Sequence, residues 1–150
     1  MTKIIAERLA GTGLKRERIS ITASHSHTAP MLKVVAPTIF GTPIPVEHQA
    51  HIDQYTREFT DKLEQVARAA IQEIRPSRLA WGVGTVKFAA NRRNAGGPVD
   101  HDLPVMVVRD PDGKTRAIYF SYACHCVTLS HNKISGGWVC YALIHVQQKF

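Results

Sequence analysis

The stretch PVMVVRDPDGKTRAIYFSY, residues 104–122, decides the architecture. Two β-rich runs, Pro104–Arg109 and Arg116–Tyr122, flank Asp110-Pro111-Asp112-Gly113. Proline presets one backbone angle of a turn and glycine accepts the positive one, so the spacing predicts a hairpin. Upstream, Arg78–Val86 reads as another strand, weakened by Gly82 and Gly84. Asn91–Asp100 holds Gly96, Gly97 and Pro98 and reads as loop. Ile19–Thr22 is a β-branched run that predicts a further strand.

Helices are expected on either side of that run. Residues 3–10 place Ile4, Ile5, Leu9 and Ala10 on one side, and Gly11-Thr12-Gly13 stops them. From Glu47 to Ile74, Ile52, Tyr55, Phe59, Leu63, Val66, Ala70 and Ile74 recur at three- and four-residue steps, the mark of an amphipathic helix. Glu58–Lys62 and Glu64–Arg68 are i,i+4 pairs on its wet side. Pro37, Gly41, Pro43 and Pro45 make the segment before it a loop. Residues 123–150 show no assignable period, and 144–150 looks like an interrupted helix. The order implies an α/β fold, a layered mixed sheet with packed helices, with no internal boundary across 1–150.

Composition narrows the function classes. With 150 residues, 44% hydrophobic and 21% charged, the chain has the profile of a soluble globular protein able to bury a core. No stretch reaches the ~18 apolar residues of a membrane span, and the N-terminus lacks the apolar region of a signal peptide. The net charge of +7, from 19 Lys+Arg against 12 Asp+Glu, suggests acidic partners or an anionic lipid surface. The basic residues are scattered, with no nucleic-acid motif and no aromatic ladder for stacking bases, so no nucleic-acid partner is expected. Three cysteines, Cys124, Cys126 and Cys140, do not make a disulfide framework.

The histidines carry the chemistry. His25-Ser26-His27 follows the β-branched run, and in extended chain the two rings share one face. Two imidazoles on one face can approach a metal, or can simply bond to neighbouring hydroxyls. Tyr122-Ala123-Cys124-His125-Cys126-Val127-Thr128 delivers another histidine after the hairpin, and alternation points both cysteines away from it. Asp100-His101-Asp102 has acidic flanks able to orient a ligand histidine. His48, His51 and His145 read as surface residues, and His131 carries no assignment.

Taken in order, ISITASHSHTAP (19–30), Asn91-Arg92-Arg93, Gly97–Val105, Tyr122-Ala123-Cys124-His125 and Ile134-Ser135-Gly136 resemble the N-terminal catalytic domain of neutral/alkaline, non-lysosomal ceramidases, especially bacterial ceramidase-like members. The resemblance spans about residues 3–142. It implies a zinc-dependent hydrolase of an N-acyl amide bond in ceramide or a related lipid, with possible membrane-surface contact and relatives that are often exported. It implies His25 and His125 as zinc ligands, with His27 and Arg92 contacting substrate or attacking water. Family zinc ligands further along, a glutamate and a tyrosine, have no counterpart here, and the family's Ser-Gly-Asp is Ser135-Gly136-Gly137. The expectation is therefore an incomplete portion of a larger catalytic domain, inactive by itself, because two protein ligands rarely hold zinc tightly. Whether His27 or His101 completes a three-histidine site stays open at this level. Two other classes remain: a non-catalytic remnant serving as an interaction module, and a basic protein binding anionic lipid or nucleic acid.

Overall fold

The computed structural model describes residues 1–35, 39, 41–127, 129 and 132–150. Pro37, Thr128 and His131 lie outside the described residues. The contacts gather into two compact units: Met1–Ala23 with Ala29–Ile74, and Ser24–Thr28 with Arg75–Phe150.

The first unit is helical. Helix α1 (Thr2–Arg8) and helix α2 (Val46–Gln72) match the two expected helices, and a 3-10 turn, Arg16–Arg18, stands between them. Ile5 and Leu9 are 2% and 0% exposed, one helical turn apart on the inner side of α1 and its cap. Each such burial contributes about 1.5–3 kcal/mol. The outer side of α1 is tied by charge. Arg8 donates to Asp61 at 2.6 Å and to Glu64 at 3.2 Å, and Arg68 donates to Glu64 at 2.8 Å. These pairs are part-exposed, so each adds little to stability. Glu58 takes Gln54 at 2.8 Å as a partner. The apolar stripe of α2 is half-buried at Ile52, Tyr55, Phe59 and Leu63 but exposed at Val66 and Ile74.

Ile19–Thr22 corrects one expectation: no strand forms there. Ile19 is extended, with φ −107° and ψ 117°, but a strand is a pairing, and no ladder reaches this segment among the described residues. β-Branched side chains favour extended backbone without supplying a partner.

The second unit is a three-stranded sheet in the order β1-β2-β3, with β1 Arg78–Thr85, β2 Asp102–Arg109 and β3 Thr115–Phe120. The expected hairpin is β2–β3. Gly113 at φ +89° completes its turn, with Gly113 N–H donating to Asp110 O and Asp110 N–H to Lys114 O, both at 2.9 Å. Arg75 grips the buried Asp110 carboxylate with two bonds, at 3.0 and 2.7 Å. Both pairings are antiparallel, so the described sheet is not mixed. The two-ended hairpin turn reverses the chain directly, whereas a parallel neighbour needs a long crossover. The tail is helix α3, Gly137–Lys149, which includes the helix expected from residue 144 and extends it back through the unassigned stretch to Gly137.

Alternation sorts the sheet into two faces. Val105, Val107, Ile118 and Phe120 line an apolar cavity of about 400 Å³ whose far wall is Trp138, Ala142 and Val146 of α3. Phe88, Tyr122 and Trp138 fill one end with ring centroids 4.9–5.7 Å apart. Strand β1 gives this face only Ala80, Gly82 and Gly84, through pairs such as Ala80↔Val107 and Gly82↔Val105. Its large side chains go the other way: Leu79, Trp81 and Val83 are 61%, 71% and 67% exposed. This sidedness predicts opposite responses to charge. Val107→Lys places an ammonium among apolar groups and is expected to cost about 2 kcal/mol or more. Trp81→Lys is expected to stay within about 0.5 kcal/mol of the parent. Urea denaturation of both variants checks it, and equal losses would contradict the assignment of faces. Among the described residues no helix is long and apolar enough to cross a membrane.

Candidate metal centre

The site lies wholly in the second unit. Segment Ser24–Thr28 belongs to that unit although its flanks belong to the first. His25 is not in extended chain as the strand reading required: its φ is +54°, the left-handed region. Even so, the rings of His25 and His27 lie 4.9 Å apart, and His125 stands 4.2 Å from His25 and 5.0 Å from His27. One nitrogen from each ring falls within 4.8 Å of the others, and all three residues are exposed.

Three histidines this close can hold a metal ion. Nitrogens bound to one tetrahedral zinc at about 2.0–2.1 Å are about 3.4 Å apart, so small ring rotations close the set. Neutral imidazole is the donor required, and the surroundings favour it. Desolvation by neighbouring groups, then the nearby His25, the Arg92 guanidinium and His27, hold His125 below the ordinary histidine pKa. Arg93 acts on it in the same sense.

Secondary contacts place each element. His27 N–H donates to Cys126 O at 3.3 Å, beside His125. Ser26 and Thr28 hydroxyls donate to Ser135 O at 3.0 and 2.8 Å, and Ser135 N–H donates back to Thr28 O at 2.9 Å. Trp138 Nε1 donates to Cys124 O at 3.2 Å, fixing the other side of the His125 segment. The Arg92 loop is organised by Asn91, whose Oδ1 accepts from Arg93 N–H at 3.1 Å and Asn94 N–H at 3.0 Å. Its Nδ2 donates to Pro98 O at 3.2 Å.

The structure thus gathers His25, His27 and His125, with Arg92 close enough for its charge to be felt at His125. The open choice between His27 and His101 falls to His27. His101 is outside the cluster, and its Nδ1 is buried with no hydrogen-bond partner. Cys126 is buried and Cys124 half-buried, and neither joins the cluster. Their burial agrees with packing rather than ligation. His48, His51 and His145 are exposed, as expected. Two participants were missed as individuals. Arg93 was visible only as the neighbour of Arg92, and Ser135 only as part of a Ser-Gly pattern.

Gly137, which stands where the resemblance puts an aspartate, is buried at φ +60°. A Cβ there would sit 3.3 Å from the Cys126 Cβ. Gly137→Asp is therefore expected to destabilise the unit rather than restore an acidic group. The left-handed backbone alone costs about 1–2 kcal/mol for a residue with a side chain. A thermal melt checks this, and an unchanged or raised Tm would contradict it.

Comparison with protein-family models, with curated proteins and with solved structures finds no match to this chain.

Proposed function

We propose that this chain carries the metal centre of a zinc-dependent hydrolase acting on an N-acyl amide bond, of the neutral ceramidase type. The observation that carries the reading is the convergence of His25, His27 and His125. Three imidazole donors on exposed side chains fit the three-ligand set of catalytic zinc better than the closed four-ligand set of a structural one. Zinc held there supplies a Lewis acid and lowers the pKa of its water towards ~7.

The chain's own groups account for the rest. His25 and His125 serve as ligands, and His27 stands where it can complete the set or meet the attacking water. The Arg92 guanidinium, a planar fork of donors, can offset negative charge developing on the amide oxygen. The guanidinium charge disfavours protonation of His125 and keeps it available as a donor. The unpaired outer edges of β1 and β3 and the exposed Leu79, Trp81 and Val83 support reading this unit as part of a larger catalytic domain.

The test is release of free fatty acid from an N-acyl sphingoid lipid in detergent micelles by the zinc-loaded chain. Hydrolysis lost in His25→Ala and reduced in Arg92→Ala supports the reading. A chain that takes up no zinc, or hydrolysis that His25→Ala leaves unchanged, would sink it.

A further inference from the structure

We infer that the backbone carbonyl of Ser135 is the joint that sets metal affinity, with Ser26 and Thr28 as positioning residues for the histidine pair. The inference rests on the metal reading above and names the groups that tune it.

The argument begins with strain. His25 occupies the left-handed region at φ +54°, which an L-residue adopts at a cost and keeps only where its surroundings fix it. Nothing regular fixes it here, since 24–28 is in neither helix nor strand. What holds the segment is an alternation of duties. His25 and His27 turn to the cluster, while Ser26 and Thr28 turn to Ser135. Both hydroxyls donate to the same carbonyl, which has two lone pairs and can accept both. The Ser135 N–H returns a bond to Thr28 O, so three bonds join two short segments.

The clamp is indexed to His125 as well. His27 N–H bonds to Cys126 O, one residue beyond His125. Ser135 also sits at the start of α3, where its Oγ accepts from Gly137 N–H at 3.2 Å. Gly137 in turn packs on Cys126. The three rings are therefore registered through one closed circuit of backbone, 25–28, 135–137 and 125–126. Groups that orient metal ligands typically change affinity 10- to 100-fold when removed, and the two hydroxyls occupy that role.

Zinc affinity of the full chain, measured by competition with a chromophoric chelator, tests this. Ser26→Ala/Thr28→Val removes both donors, Thr28→Val with side-chain volume kept and Ser26→Ala with the loss of one oxygen. Its affinity is expected to fall about 10- to 100-fold, with Thr28→Ser close to the parent. Circular dichroism reports whether the double variant folds, and Thr28→Val alone serves if it does not. A metal-free readout runs beside it: amide exchange at Ser135 and His27, expected to speed up in the double variant. Parent-like affinity in the folded double variant, or affinity that Thr28→Ser fails to preserve, would overturn the inference. If the unaltered chain takes up no zinc, the metal reading falls. Exchange then decides for the clamp alone: faster exchange supports it, and unchanged exchange overturns it.

Discussion

Replacing any one of His25, His27 or His125 by alanine is expected to abolish stoichiometric zinc binding at micromolar protein. The unaltered chain should bind one ion. Three imidazoles are the whole donor set within reach among the described residues, so each removal leaves two, fewer than catalytic zinc sites use. Groups that merely orient ligands cost about 10- to 100-fold when lost, so a ligand itself is expected to cost more than about 100-fold. The three losses should also be comparable, because the ring separations of 4.2, 4.9 and 5.0 Å make no ring peripheral. His101→Ala is the matched control and should leave the stoichiometry intact, since His101 lies outside the cluster. The rings are exposed, so the substitutions leave no buried cavity and stability should change little in the metal-free chain. Metal analysis after gel filtration, with chemical denaturation of the apo forms, checks both halves. Retention of one zinc by His27→Ala, with loss in the other two, would instead restrict His27 to the role of a substrate contact.

What the sequence disclosed depends on the range of the interaction that fixes each element. The hairpin was legible because Asp110-Pro111-Asp112-Gly113 encodes its own turn, and the two runs beside it pair immediately. Helix α2 was legible because its apolar positions repeat with the helical period over many turns. Both are local signals. Ile19–Thr22 was misread because β-branched residues report a backbone preference, and a strand also needs a neighbour. The first half of helix α3 escaped for the opposite reason. Trp138, Val139, Cys140 and Tyr141 favour strands by side-chain type, and the apolar residues run around the helix without a clear stripe. The site shows the same division. That His25, His27 and His125 were the residues to watch followed from their arrangement at the ends of β-rich runs. That His27 rather than His101 joins them did not, because the decision is made by bonds such as Ser26 to Ser135 that close a long stretch of chain. Even the premise that brought His25 and His27 together was mistaken in form. Strand alternation predicted a shared face, and a left-handed turn at His25 delivers it instead.

Acid should strip the metal, and His125 is held in its metal-ready form against part of that loss. Zinc binds neutral imidazole, so protons and metal compete for the same nitrogens. An ordinary imidazole protonates around pH 6.5, and affinity is expected to decline as pH falls through that region. His125 departs from the ordinary value downwards: desolvation by neighbouring groups first, then the charges of His25 and Arg92, depress it. A depressed pKa means the neutral, metal-ready form persists to lower pH. The sign for folding follows the same route. Below the unfolded value the unfolded chain binds a proton at this position that the folded chain resists, so folding loses support as pH falls from about 6.5 towards the lowered folded value. Above that window the contribution vanishes, because both states are neutral. Two measurements separate these effects. Zinc affinity titrated from pH 7.5 to 5 should drop steeply, with a proton dependence greater than one because several imidazoles compete. In Arg92→Ala the cationic neighbour is gone, so His125 protonates more readily and the dication itself is repelled less, and the pH midpoint of metal loss should shift away from that of the unaltered chain. A midpoint unmoved by Arg92→Ala would mean that the Arg92 charge does not reach the cluster, and would remove the electrostatic role given to it here.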